Sequence, residues 1–254
     1  MQLQSLLEKL KSQQSHQLLQ TDIWCLPIHT VNVTYKPVVR RQMDILMKMI
    51  LISVQKAQFK SAQQISDILL VEHLFVHDLL TKMEKMGLIE KNEHIFHITE
   101  KGQVQLKSGV YEEDQEIATK ELLYSPSHEA FLQGDIEEVL AYEDFPEEIY
   151  RYYKQHDEIS ISENLIIDQI RSIDFENNMD EINSDAVQIS SVESTEFDQI
   201  NDVPCIELIL YDEKNDHVYA RIWNTLLDHW DKKLEKTITE KEATEWKNKI
   251  VNKK

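Results

Sequence analysis

The chain has 254 residues, of which 41% are hydrophobic, too many for a disordered polymer and enough for a substantial core. It carries 27 Lys and Arg against 46 Asp and Glu, a formal net charge of −19, which argues against a protein that works by gripping nucleic acid phosphates. The imbalance is not uniform. Residues 31–108 hold 11 basic and 8 acidic residues, whereas residues 109–254 hold 14 basic and 36 acidic. The second half would repel nucleic acid at low salt and attract basic protein surfaces.

Two cysteines, Cys25 and Cys205, make no disulfide framework and read as buried free thiols. The longest apolar run, Ile45 to Val54, is broken by Lys48 and Ser53. It falls short of the roughly 20 residues that span a bilayer. No basic stretch precedes an apolar run at the start, so a cytoplasmic location is expected.

In chain order, residues 2–19 read as a helix with Leu3, Leu6, Leu7 and Leu10 on one face. It packs either on a partner subunit or on its own domain. Ile23 to Ile28 and Val31 to Tyr35 read as two short strands, with Pro27 holding the first to a sheet edge. Pro37 suits the first turn of a helix running to about Lys56. Met43, Leu46, Met47 and Ile50 give that helix a core face. Ile45, Met49 and Ile52 make it apolar nearly all round, so burial on more than one side is expected. Ser61 caps a short helix with Ile65, Ile68 and Leu69 on its inner side. A second helix begins near Glu72 and buries Val76, Leu79, Leu80 and Met83. Gly87 ends it. Leu88 to Lys91 and Ile95 to Ile98 are short strands around Asn92-Glu93-His94, and Thr99 caps a further helix.

The run from Leu79 to Glu90 (LLTKMEKMGLIE), followed by Ile98-Thr99-Glu100-Lys101-Gly102, resembles the winged helix-turn-helix domains of MarR, PadR and ArsR-type bacterial regulators. The resemblance covers residues 37–107, about a quarter of the chain. It implies a winged helix-turn-helix domain (37–108); with the readings of the flanking segments, the expected fold is α+β, with a leading helix and strands (1–36), that domain, an acidic helical or linker region (109–185) and a small α+β domain (186–254). In regulators that read DNA, the second helix starts with small polar and basic residues. Here that start is Glu72, His73, Leu74, Phe75, His77 and Asp78, and the tip Asn92-Glu93-His94 has no Lys or Arg. Those six residues therefore read as a protein-binding surface, unless Leu74 and Phe75 pack elsewhere on this chain. Arg40, Arg41, Lys82, Lys85 and Lys91 are the residues that would meet phosphates if DNA were bound.

Beyond Lys107, Tyr111 to Glu116 reads as the start of a linker helix. Asp135 to Tyr142 and Pro146 to Tyr153 read as short helical segments. In the second, Tyr150, Tyr152 and Tyr153 interleave with Arg151 and Lys154. Ser162 caps a helix through Ile170, and Asp174 to Asp185 reads as an acidic loop. Cys205 to Tyr211 and His217 to Trp223 alternate as the arms of a hairpin, with Ala186 to Val192 a third strand. A helix carrying Leu226, Leu227, Trp230 and Leu234 follows. Thr239 and Glu242 form a capping box for a last helix with Ala243, Trp246 and Ile250 inside.

Candidate chemistry is sparse. His73 and His77 have the helical spacing of zinc ligands, with Glu72, His94 or His97 as further donors, but lack the catalytic Glu of a metalloprotease helix. Asp212-Glu213-Lys214 matches a short nuclease pattern but falls in a turn. Cys25 and His29 sit in an apolar strand context. No Gly-rich phosphate loop or nucleophile elbow is present. We therefore expect no catalytic residue, metal or cofactor. The expected function is that of a non-enzymatic adaptor in a DNA-handling or regulatory complex, with a protein partner bearing a basic surface and with homodimerisation open. A DNA-binding transcriptional regulator is the alternative, and an enzyme such as a nuclease is third.

Overall fold

A computed structural model describes residues 2–142, 145–154, 159–177 and 187–251. In chain order its elements are α1 (Leu3–Ser12), β1 (Gln17–Gln42), α2 (Ile45–Lys56), α3 (Ala62–Leu69), α4 (His73–Lys85), β2 (Ile89–Asn92), β3 (Ile95–Ile98), α5 (Glu100–Ser108), β4 (Val110–Asp114), β5 (Ala118–Ser125), β6 (Ala130–Leu132), α6 (Ile136–Leu140), α7 (Glu163–Asn177), β7 (Val187–Asp212), β8 (His217–Asn224), β9 (His229–Trp230) and α8 (Lys232–Trp246). Seven strands form one sheet in the order β6-β5-β1-β7-β8-β9, with β4 also pairing β1, and β2-β3 is a separate hairpin.

This corrects the expected fold class. The chain is not an N-terminal winged helix-turn-helix domain followed by an acidic region and a small α+β domain. Its dominant feature is the seven-stranded sheet, built on two strands of 26 residues each, β1 and β7. The two short strands expected before Tyr35 are one strand that continues to Gln42, so Pro37 lies in a strand and not in a helix. β1 lies between β5 and β7 and is not an edge. Pro27 is tolerated there because of local alternation. Cys25 gives its N–H to the Glu148 carbonyl and accepts from the Tyr150 N–H, and Pro27, two residues on, faces the same way where that short ladder ends.

The chain divides into two units. One comprises residues 1–33, 120–169 and 195–254. Here residues 203–210 of β7 are buried on both faces. Val203, Cys205 and Ile209 join Trp24, Leu26 and Ile28 of β1 beneath Leu234, Ile238 and Trp246 of α8. Ile206, Leu208 and Leu210 point the other way and take Leu6, Leu7 and Leu10 of α1. The leading helix thus packs on its own chain. The hairpin pairs Cys205 with Asn224 through to Asp212 with His217. The last helix is a single element capped by Asp231, so Thr239 lies inside it, and its hydroxyl accepts the Ala220 N–H. Pro146 to Tyr153 is not the expected helix: Ile149 makes a single bridge to β1 at Cys25, and a turn at Arg151-Tyr152 follows, closed by the Tyr153 N–H on the Tyr150 carbonyl.

The other unit comprises residues 34–119 and 170–194. Helices α2 to α5 and the β2-β3 hairpin bury Met47, Ile50, Leu51, Ile65, Val76, Leu80, Met83, Leu88 and Phe96 together. Local chemistry sets the boundaries. Gly87 has φ +67° and lets the Leu88 N–H reach the Met83 carbonyl, closing α4. Thr99 accepts the Gly102 N–H and donates to the Gly87 carbonyl. Tyr111 to Asp114, expected to begin a helix, is strand β4, which places Glu112 opposite Arg40 and Tyr111 opposite Arg41. Of the acidic run Asp174 to Asp185, residues 178–185 lie outside the described residues.

Candidate protein-interaction surface

The turn between α3 and α4 is built by Ser66. Its hydroxyl donates to the Val71 carbonyl at 2.6 Å, and its own carbonyl accepts the Leu70 and Val71 N–H groups. This holds Leu70 in the left-handed region at φ 54°, where a Leu has no intrinsic preference to be. α4 then starts at His73 with Val76 as its inward anchor, fully buried. The remaining residues of that first turn cannot follow Val76 into the core. Leu74 is 64% exposed and Phe75 55% exposed, so among the described residues nothing covers most of either side chain. Glu72, His73, His77 and Asp78 are exposed around them.

Two apolar neighbours join this set that the sequence pattern did not single out. The periodicity of α3 places Ile68 on its inner side with Ile65, but of the two only Ile65 is buried, and Ile68 and Leu70 face solvent. The signal was present in the run Ile68-Leu69-Leu70-Val71, since a helix this short cannot turn four consecutive apolar residues inward. Asp67, Glu72 and Asp78 supply the charge on the same stretch, with no Lys or Arg between Ala62 and Thr81.

The candidate phosphate-binding cations lie in the same unit and are largely met by acids. Arg40 contacts Glu112 at 2.9 Å, Arg41 reaches Glu113 at 3.4 Å, and Lys82 reaches Glu113 at 3.2 Å. Lys91 lies over the Phe96 ring at 4.9 Å, and Lys85 is exposed in the last turn of α4. A cation already facing a carboxylate attracts phosphate weakly.

The other candidates resolve into structural chemistry. The His73 and His77 rings stand 6.3 Å apart, and among the described residues no three metal-ligating side chains converge. Cys25 donates to the Pro146 carbonyl, whereas His29 contacts the Tyr153 hydroxyl, so the two are engaged apart. Burial, with the Asp202 charge second, pushes the Cys25 thiol up to about 12. Asp212 caps its own turn, accepting the Lys214 and Asn215 N–H groups. Arg151 and Tyr152 both bind Glu242, which explains the tyrosine-arginine cluster as packing.

One catalytic-looking constellation emerges that no sequence spacing revealed. Ser125 Oγ lies 2.7 Å from His128 Nδ1, and His128 Nε2 lies 3.0 Å from Asp231. Ser125 is 0% exposed, and His128 and Asp231 are buried with it. Asp231 meanwhile caps α8 and accepts the Asn224 amide. The relay ties the β5-β6 turn to the start of α8.

Comparison with protein-family models, with characterised proteins and with solved structures finds no match. The resemblance to winged-helix regulators therefore has no support from relatives, as it has none from the sheet-dominated architecture. Among the described residues, no helix is long and apolar enough to cross a membrane.

Proposed function

We propose that the chain is a non-enzymatic interaction protein, an adaptor in a cytoplasmic regulatory or DNA-handling complex that captures a protein partner through the start of α4. The observation that carries this reading is the exposure of Leu74 and Phe75, with Ile68 and Leu70, on a turn held rigid by Ser66. Grouped apolar side chains on a fixed scaffold favour a protein partner, because their desolvation supplies the energy and the scaffold limits the entropy lost. The flanking Asp67, Glu72 and Asp78 suit a partner whose apolar groove has a basic rim. The same acids, and the carboxylates facing Arg40, Arg41 and Lys82, count against direct DNA binding. Two buried free cysteines suit a reducing compartment.

The test is affinity capture with the full chain and with the Leu74→Ser/Phe75→Ser double variant. The variant is expected to lose the partner while its Tm stays within about 2 °C, as surface changes do. Equal capture by both chains, or a Tm loss of several degrees, would overturn the proposal.

A further inference from the structure

A groove of about 690 Å³ lies between α5 and the ribbon of β1 and β4, within the unit of residues 34–119 and 170–194. Lys101, Val104, Gln105 and Ser108 follow one another at steps of three, one and three, so they share the helix face that forms one wall. The walls are fixed to each other. Gln105, 7% exposed, accepts the Glu112 N–H at 3.2 Å, and Ser108 donates to the Gln105 and Val110 carbonyls at 3.0 and 3.2 Å where α5 turns into β4. Val104, 63% exposed, and Val110 give the groove an apolar surface. Four charged residues line it, two of each sign: Arg40, Lys101, Glu100 and Glu112. Arg40 Nε donates to Glu112 Oε1 at 2.9 Å, and its Nη2 lies 2.9 Å from the same oxygen. Among the described residues, Glu112 Oε2 is left without a partner, and neither Lys101 nor Glu100 has an ion pair.

We infer that this groove binds a short peptide with both ends free, a di- or tripeptide with apolar side chains, its ammonium on Glu112 Oε2 and its carboxylate on Lys101 Nζ. The balance of charge selects this class. A simple anion would meet Glu100 and Glu112, and a simple cation would meet Arg40 and Lys101. A ligand with both charges meets one unpaired atom of each sign. Glu100 opposes the carboxylate little, because as the first residue of α5 it is offset by the positive field of the helix start. The spacing sets the length. Their hydrogen bond puts Glu112 level with Gln105, one turn or about 6 Å along α5 from Lys101. Two residues of extended chain span about 7 Å, whereas the two charges of a single amino acid stand within one residue's span of about 3.6 Å. The peptide's apolar side chains cover Val104 and Val110, and that desolvation supplies binding which solvent-screened charges alone do not. The groove is separate from the α3-α4 corner and does not depend on what docks there.

Isothermal titration calorimetry of the full chain with the dipeptide Val-Leu tests this. A Kd on the order of 0.1–1 mM is expected for a ligand of so few atoms. N-acetylated Val-Leu and Val-Leu amide should each bind about tenfold more weakly, since each lacks one charged hydrogen bond. Free leucine, too short to reach both charges, should also bind several-fold more weakly. Lys101→Gln should bind Val-Leu and its amide alike while still preferring the free amine, and Val104→Ser should weaken every form several-fold. Both side chains are on the surface, so both variants should melt with the parent. No binding at millimolar peptide, equal binding of the free and blocked forms, or leucine binding as tightly as Val-Leu would each overturn the inference. So would a Lys101→Gln chain that keeps the preference for the free carboxylate, or a Val104→Ser chain that binds as the parent does.

Discussion

Arg151 holds Glu207 through both terminal guanidinium nitrogens, each at 2.8 Å, while the same carboxylate takes the Trp24 indole N–H at 2.6 Å. Glu207 lies on β7 with only 4% of its side chain exposed, whereas Arg151 is about one-third exposed. Removing the arginine therefore strands a buried charge. Arg151→Ala is expected to cost about 3 kcal/mol in urea unfolding, since breaking a buried pair from one side is far worse than never having it. Glu207→Gln, which keeps an acceptor for Trp24, should cost less.

Asp231 predicts an acid limb to stability. Burial alone would raise its carboxyl, but hydrogen bonding to His128 and the His128 charge, with the Asn224 amide and the Leu234 N–H, hold it below the ordinary value of 3.8. A carboxyl depressed in the folded state contributes stability that is full above that ordinary value and is lost as pH falls below it. Asp231→Ala leaves the His128 ring and the Asn224 amide without their acceptor and uncaps α8. We expect a loss of about 2–4 kcal/mol near neutral pH. Unfolding free energies measured from about pH 3 to 6 should fall less steeply at the acid end in the variant than in the parent.

The thiols should be silent in the folded protein. Cys25 is 2% exposed, its thiol raised to about 12, and burial raises Cys205 well above the usual thiol range. The thiolate is the reacting species, so a thiol reagent at about pH 8 should modify neither residue until urea unfolds the chain. Prompt native-state labelling of either cysteine would show that β1 and β7 open locally.

Gly102 allows α5 to lie against the strand entry at Leu88. A Cβ there would fall 2.1 Å from the Leu88 carbonyl oxygen and 2.9 Å from the Ile98 side chain. Backbone cannot yield as a side-chain tip can, so Gly102→Ala should lose about 1–3 kcal/mol despite alanine's better helix propensity. Thermal melting of the two chains decides it.

The parts that were legible in the sequence are those whose chemistry is local. Gly87 ends α4, Thr99 opens α5, and the alternation around Asp212 to Asp216 marks the β7-β8 hairpin, because each depends on residues a few positions apart. The long strands were not legible. Pro27 and Pro37 read as punctuation, and only the pairing of Cys25 with the segment at Glu148 to Tyr150 shows why Pro27 is harmless. Tyr111 to Glu116 read as helix from its acids, but Glu112 stands opposite Arg40 in a ladder between residues some seventy positions apart, and Glu113 reaches Arg41 diagonally across it. The exposed pair Leu74 and Phe75 was visible as a departure from the buried period of α4. For Ile68 the periodicity alone points inward, and only the four consecutive apolar residues Ile68 to Val71 signal that some of them must face out. The Ser125-His128-Asp231 relay joins residues over a hundred positions apart and left no trace in spacing.

The neighbouring positions of β1 and β7 in the sheet carry a consequence for synthesis. β1 is complete by Gln42, but its partner is complete only at Asp212. At a translation rate of about 5–20 residues per second, the first strand waits on the order of ten seconds for its neighbour. During that interval Trp24, Leu26, Ile28, Val31 and Val33 have no β7 to cover them. A nascent chain of this protein is thus a substrate for whatever shields apolar segments at the ribosome, and stalling between residues 42 and 187 should leave it prone to aggregation.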